Sequence, residues 1–154
     1  MNHNDRLTRL RYALDIRDDD MIEVFKLGGV IITKEELLAM LRKIDDDNYE
    51  LPLEDECFER FLNGMIISQR GPKKGEEPKF ELRQGNANNV LLKKIKIALS
   101  LTTDDIINIL ANENMFISKS ELSAFLRKEG HRNYQTCGDN YTRHFLKGLI
   151  QEYR

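Results

Sequence analysis

Hydrophobic positions along the 154-residue chain recur at intervals of three and four rather than two, a pattern that predicts amphipathic helices. Leu7, Leu10, Ala13 and Leu14 share one face, and Met21, Ile22, Val24 and Phe25 form a second cluster. Leu37, Met40 and Leu41 make a third, and Phe61, Leu62, Met65 and Ile66 a fourth. About 85 residues later the series returns. Leu92, Ile95, Ala98 and Leu99 are followed by Ile106, Ile107, Ile109 and Leu110, then by Leu122, Phe125 and Leu126, and finally by Phe145, Leu146, Leu149 and Ile150.

The polar positions repeat as well. With Asn4 set against Asn89 and no gap, Asp19-Asp20 meets Asp104-Asp105, Leu41-Arg42-Lys43 meets Leu126-Arg127-Lys128, and Asn48-Tyr49 meets Asn133-Tyr134. After a one-residue shift, Phe61-Leu62 and Gly64 meet Phe145-Leu146 and Gly148. A fixed internal period of this kind marks a duplicated structural unit. The expected fold is all-α: a tandem duplication of a four-helix module, the two copies packed with pseudo-two-fold symmetry. The first repeat is placed at residues 1–71 and the second at 88–154. Residues 72–87, rich in Gly, Pro and charge, are expected to form an exposed linker. Packing of the copies on each other is favoured, because a module of about 70 residues is marginal alone.

Local signals place the helix ends. Thr33 with Glu36, and Ser118 with Glu121, each form a capping box. Ile32 with Leu37, and Ile117 with Leu122, supply a hydrophobic staple beside each box. Asp18 and Thr102 or Thr103 are the expected N-caps of the second helix in each copy. Gly64 and Gly148 sit mid-helix at equivalent positions, where close approach of another helix is expected. Gly28-Gly29 and its counterpart Glu113-Asn114 read as a helix-ending turn.

Charge divides the copies. The formal net charge is −2, but residues 1–70 carry −6 and residues 86–154 carry +3. Such asymmetry fits a basic surface for nucleic acid or an acidic partner, attraction between the two halves, or a dimer pairing unlike copies. No apolar run is long enough to span a membrane and no signal peptide is evident, so a cytoplasmic protein is expected. Cys57 and Cys137 occupy non-equivalent positions and are expected as core residues rather than a disulfide.

The search for chemistry yields little. His131, Cys137 and His144 lack the paired spacing of a structural zinc site, and the first copy places Asp46, Pro52 and Arg60 at the aligned positions. Asp45, Asp46, Asp47 and Glu56 imitate a calcium loop, but Tyr49 and Glu50 stand where an oxygen ligand and a glycine are required. No nucleophile motif or phosphate-binding glycine pattern occurs. Catalytic, metal and cofactor sites are therefore expected to be absent, and a non-enzymatic protein is expected. Asp19-Asp20 and Asp104-Asp105 are read as first-turn carboxylates favoured by the helix dipole, with docking of a basic partner as the alternative. Tyr49 and Tyr134 are read as loop anchors rather than a ligand-binding edge.

Two binding functions remain. The first is a protein-interaction module, engaging a protein partner or a second copy of itself. The second is nucleic-acid binding by a helix-turn-helix-like second repeat, with phosphate contacts from Lys93, Lys94, Lys96, Arg127 and Lys128. Against it stand the acidic first copy and a connection from Lys26 to Ile32 that is longer than that motif uses. The same five basic residues would equally serve to solvate a helical surface.

The segments NDRLTRLRYALDIRDDDMIEVFKLGG, TKEELLAMLRKIDDDNYE and FERFLNGMII resemble the YehS-like family of bacterial proteins. NNVLLKKIKIALSLTTDDIINIL and CGDNYTRHFLKGL resemble it equally, and the two-copy layout is also typical of that family. The resemblance covers nearly all of the chain outside the linker. It implies a bacterial cytoplasmic protein and supplies no catalytic residues.

Overall fold

A computed structural model describes residues 1–72, 79–83 and 85–154. Residues 73–78 and 84, part of the expected linker, lie outside the described residues. Eight helices and no strand occur among the described residues: α1 (His3–Leu14), α2 (Asp18–Leu27), α3 (Lys34–Leu41), α4 (Asp55–Arg70), α5 (Ala87–Ala98), α6 (Thr103–Asn112), α7 (Lys119–Leu126) and α8 (Asp139–Tyr153). The first four and the last four are the two copies of the module.

The caps explain where helices start. Thr33 accepts from the Glu36 amide while Glu36 accepts from Thr33, and Ser118 and Glu121 do the same. Ile32, Leu37, Ile117 and Leu122 are all buried, as the staples require. Thr102 caps α6 through a third such box with Asp105. The expected cap Asp18 is corrected: Arg17 is the N-cap of α2 without a side-chain bond, and Asp18 lies inside the first turn, paired with Arg11. A carboxylate there still favours the positive end of the helix dipole. Gly29 and its counterpart Asn114 both end a helix at positive φ, 94° and 58°. Asn tolerates that left-handed conformation better than most residues.

Each copy packs internally around the crossing of its second and fourth helices. Gly64 lets α4 press on the Val24 carbonyl of α2, and Gly148 lets α8 approach Ile109 of α6. A Cβ on Gly148 would lie 2.5 Å from Ile109 Cγ2, and one on Gly64 would run into the Val24 carbonyl oxygen. The copies then exchange helices: α4 packs on α5, and α8 packs on α1. These are the same contact made twice under the pseudo-two-fold axis. A single hydrophobic cluster runs through both copies. Phe25, Phe58, Phe61 and Phe145 are almost wholly enclosed in it, each contributing roughly 1.5–3 kcal/mol by burial.

A buried asparagine ties the loop after the third helix to the first helix in each copy. Asn4 Nδ2 donates to the Met40 and Leu51 carbonyls, both at 2.9 Å, and its Oδ1 accepts from the Leu53 amide at 2.9 Å. Asn89 repeats this with Phe125 at 3.0 Å, Gln135 at 2.8 Å and the Cys137 amide at 2.9 Å. The matching partners show that Leu53, not Pro52, is the counterpart of Cys137. The one-residue shift therefore falls at Glu50, inside the loop, where an extra residue costs no core contact. Tyr49 is the expected anchor, buried with its hydroxyl donating to Asp5 at 2.7 Å. Burial, then that carboxylate, pushes its phenol up to about 12. Tyr134 is half-buried with its hydroxyl unpaired among the described residues.

Candidate functional site

The pseudo-two-fold relation sets two grooves side by side for comparison. One runs between α4 and α5, the other between α8 and α1. In the first, residues Lys79–Leu82 of the connection between the copies lie across the helices. The Glu59 carboxylate accepts from the Glu81 amide at 2.6 Å and from the Leu82 amide at 2.8 Å. Lys94 Nζ donates to the Lys79 carbonyl at 2.9 Å and to Asn63 Oδ1 at 2.5 Å, and pairs with Glu59 at 3.0 Å. The Lys93 ammonium meets the Glu81 carboxylate at 2.8 Å, and the Arg60 guanidinium lies 4.8 Å over the Phe80 ring. The expected exposed linker is thus half-buried at Glu81 and Leu82, because Glu59 offers its amides a carboxylate. The rest of that prediction falls partly on residues 73–78 and 84, outside the described residues.

At the equivalent places of the second groove stand Thr8 for Lys93, Arg9 for Lys94, Arg143 for Glu59, His144 for Arg60 and Lys147 for Asn63. All five border one open trough of about 580 Å³, together with Tyr12. No described segment crosses it. Arg9 and Arg143 are exposed and make no ion pair among the described residues. Lys147 has one acidic neighbour, Glu113, at 3.9 Å. Tyr12 is 54% exposed, and its ring carries the Arg154 guanidinium at 4.0 Å. Where the closed groove balances Glu59 against Lys94 beside the neutral Asn63, the open one presents Arg9, Arg143 and Lys147.

The basic set expected from the sequence is dispersed. Lys94 is only 4% exposed, and its ammonium is consumed by Glu59, Asn63 and a carbonyl. It is corrected from a surface contact to an interior ion pair, since a charge so far from water must be paired. Lys93, Arg127 and Lys128 do border a common hollow of about 280 Å³, but Glu81 and Glu129 share it. Lys96 lies apart in the last turn of α5, half-buried and near Asp105, whose carboxyl it helps to lower after the Thr102 hydrogen bonds.

A second polar cluster lies where the starts of α1, α4, α5 and α8 meet. His3 Nε2 approaches Asp55 at 2.6 Å, and its Nδ1 is 3.2 Å from the Arg6 guanidinium. Arginine can only donate, so Nδ1 accepts and Nε2–H donates to Asp55. Burial holds the His3 ring below its usual pKa, with Asp55 opposing. Arg6, itself buried, donates to Asn88 at 2.8 Å, and Asn88 donates to Asp139 at 2.8 Å. The Met1 amino group meets Asp139 at 3.0 Å. These groups engage one another across the copies, so what the arrangement provides is cohesion.

The remaining sequence candidates resolve into local structure. Asp45 accepts from the Asp47 and Asn48 amides and from the Asn48 side chain, which closes a turn. Cys57 and Cys137 are free thiols, and burial pushes Cys137 up to about 11. His131 contacts the Asn133 amide and His144 the Asn140 carbonyl. Among the described residues no group of three or more His, Cys, Asp and Glu side chains gathers as a metal site. No helix among them is long and apolar enough to cross a membrane. The signal for the open groove was present in the repeat alignment, as arginine at 143 opposite glutamate at 59, although net charge pointed away from Arg9, which completes the groove from the acidic half of the chain.

Comparison with known proteins follows the same two-copy layout. The family described as "Protein of unknown function (DUF1456)" matches at residues 3–71 and again at 88–154. The "Uncharacterized protein YehS" of Escherichia coli (strain K12) is 38% identical over 149 residues, covering 97% of this chain and 94% of that one. No solved structure matches. Two matches to one family model, together with a relative similar along almost the whole length, place the chain in the DUF1456 family.

Proposed function

We propose that the protein is a non-enzymatic interaction module that docks a partner protein in the groove between α1 and α8. The observation that carries this reading is that the equivalent groove is occupied by the chain's own residues Lys79–Leu82, while this one is lined by the equivalent helix positions and has no described residue across it. An aromatic ring flanked by arginines is the side-chain mixture that protein contacts favour. The two free thiols support a reducing, cytoplasmic setting.

A photo-crosslinking residue at Tyr12, compared with one at its counterpart Ile97, tests the assignment in bacterial cells. The expected outcome is a discrete protein adduct from position 12, absent from position 97 and lost when Arg9→Glu and Arg143→Glu are combined. Equal labelling from both positions, or none from position 12, would overturn it.

The alternative, nucleic-acid binding by the second copy, draws on the shared hollow of Lys93, Arg127 and Lys128. Anisotropy of labelled duplex and single-stranded oligonucleotides at about 50 and 200 mM salt distinguishes it: binding that falls steeply with salt and is lost on Arg127→Glu with Lys128→Glu would favour nucleic acid.

A further inference from the structure

This inference rests on the docking reading and names the occupant. We infer that the α1–α8 groove takes a short acidic peptide segment, laid across the helices as Lys79–Leu82 lie across α4 and α5.

The closed groove acts as a template. Five helix positions, Glu59, Arg60, Asn63, Lys93 and Lys94, take part in the network that holds a four-residue stretch of the connection. Their five counterparts border the open trough of about 580 Å³, so the positions that hold a peptide segment in one groove line open space in the other. The chemistry at those positions determines what the peptide must offer. Glu59 is an acceptor, and it draws two successive backbone amides toward α4. Arg143 in its place is donor only, so an incoming segment must present carboxylates or carbonyls there. Arg9 replaces a lysine whose charge is already matched by Glu59, and Lys147 replaces a neutral asparagine. At Glu59, Asn63 and Lys94 one cation beside one anion thus becomes three cations, while the cations Arg60 and Lys93 give way to His144 and Thr8. Arginine pairs with carboxylates bidentately, which suits an acidic side chain. His144 stands where Arg60 covers the Phe80 ring, and exposed Tyr12 lies nearby. An apolar residue between the acids would rest on them.

A nucleic-acid backbone fits less well. The cations are confined to one short trough between the copies, and the first copy beside it carries a net charge of −6, which repels a long polyanion. A short acidic segment meets the trough and little beyond it.

The test uses the full chain and a fluorescein-labelled peptide of about twelve residues, with Asp-Phe-Glu-Leu-Glu at its centre, followed by anisotropy at low salt. A second peptide carries Lys in place of each acid, and an unlabelled DNA duplex serves as competitor. The acidic peptide is expected to bind, to weaken about tenfold or more on Arg143→Glu and on Arg9→Glu, and to be unchanged by Lys128→Glu. The lysine peptide is expected to bind the Arg9→Glu, Arg143→Glu double variant better than the unaltered chain. Thermal unfolding confirms that each variant is folded, and both positions are exposed. Equal binding of the two peptides, no effect of Arg143→Glu, or displacement of the acidic peptide by equimolar duplex would overturn the inference. Absence of peptide binding alongside a specific adduct from position 12 would overturn it while leaving the docking reading intact.

Discussion

The α4–α5 and α8–α1 grooves share one backbone frame and differ in a handful of side chains. In the first, Glu59 and Lys94 neutralise each other and seat the connecting segment. In the second, Arg143 and Arg9 replace them and face solvent. A duplicated fold keeps the residues that hold its helices together and is free to change those that only line a surface. Asn4 and Asn89, or Gly64 and Gly148, are alike in both copies because each fixes the backbone. The groove positions are unlike because no core depends on them twice.

The comparison is broken most severely at Glu59. Glu59→Ala leaves the Lys94 ammonium buried without its anion, and a loss of about 3–5 kcal/mol in urea unfolding is expected. Arg143→Ala, at the equivalent exposed place, should change stability by less than about 0.5 kcal/mol. Equal losses at the two positions would show that the grooves do not differ in burial as described. Next in size is Gly64→Ala, where the added methyl meets the Val24 backbone, which has no freedom to move aside. It should cost about 2–3 kcal/mol, and Gly148→Ala less, since the Ile109 carbonyl oxygen would lie 2.8 Å from the new methyl, farther than the Val24 carbonyl oxygen lies at Gly64. Chemical denaturation of the pair reads the difference. Smaller again, Asn4→Ala and Asn89→Ala should each cost about 1–3 kcal/mol and resemble one another, because both strip three hydrogen bonds from the same loop. A clear inequality between them would mean that one loop has a substitute for its pin.

The smallest effect concerns pH. His3 has no titrating counterpart, since Asn88 occupies its place. Its folded pKa lies below the ordinary 6.5 because burial disfavours the charged ring. The unfolded chain therefore binds the proton first as pH falls, and the His3 contribution is complete above about 6.5 and lost below it. Melting temperatures between pH 5 and 8 should fall less toward acid in His3→Asn, which gives both copies the same residue. An unchanged pH profile would remove His3 as the source.

Much of this was legible in the sequence, and the failures share a cause. Thr33 and Ser118 declared their helices because a capping box is a local device, satisfied within four residues. Gly64 and Gly148 declared a close approach because the cost of glycine mid-helix demanded a reason in both copies. Lys94 misled because its partners Glu59 and Asn63 belong to the other copy, and helical spacing does not say which neighbour a face will meet. Arg9 was passed over for a similar reason. It belongs to an acidic half, and a net charge summed over seventy residues does not report which side chains share a trough. The pins Asn4 and Asn89 stood at the head of the alignment, yet their role depends on carbonyls of the third helix and the loop after it, about 36–47 residues away.

The crossing of α4 on α5 and α8 on α1 has a consequence for how such a molecule acquires a single asymmetric surface. Two separate copies of the module could make this crossing only as an isologous dimer, in which every change is imposed on both grooves together. An arginine at the position of Glu59 would then remove the partner of the buried lysine as well. Joined in one polypeptide, the halves vary independently, so that one groove can be surrendered to stability while the other is left open to solvent.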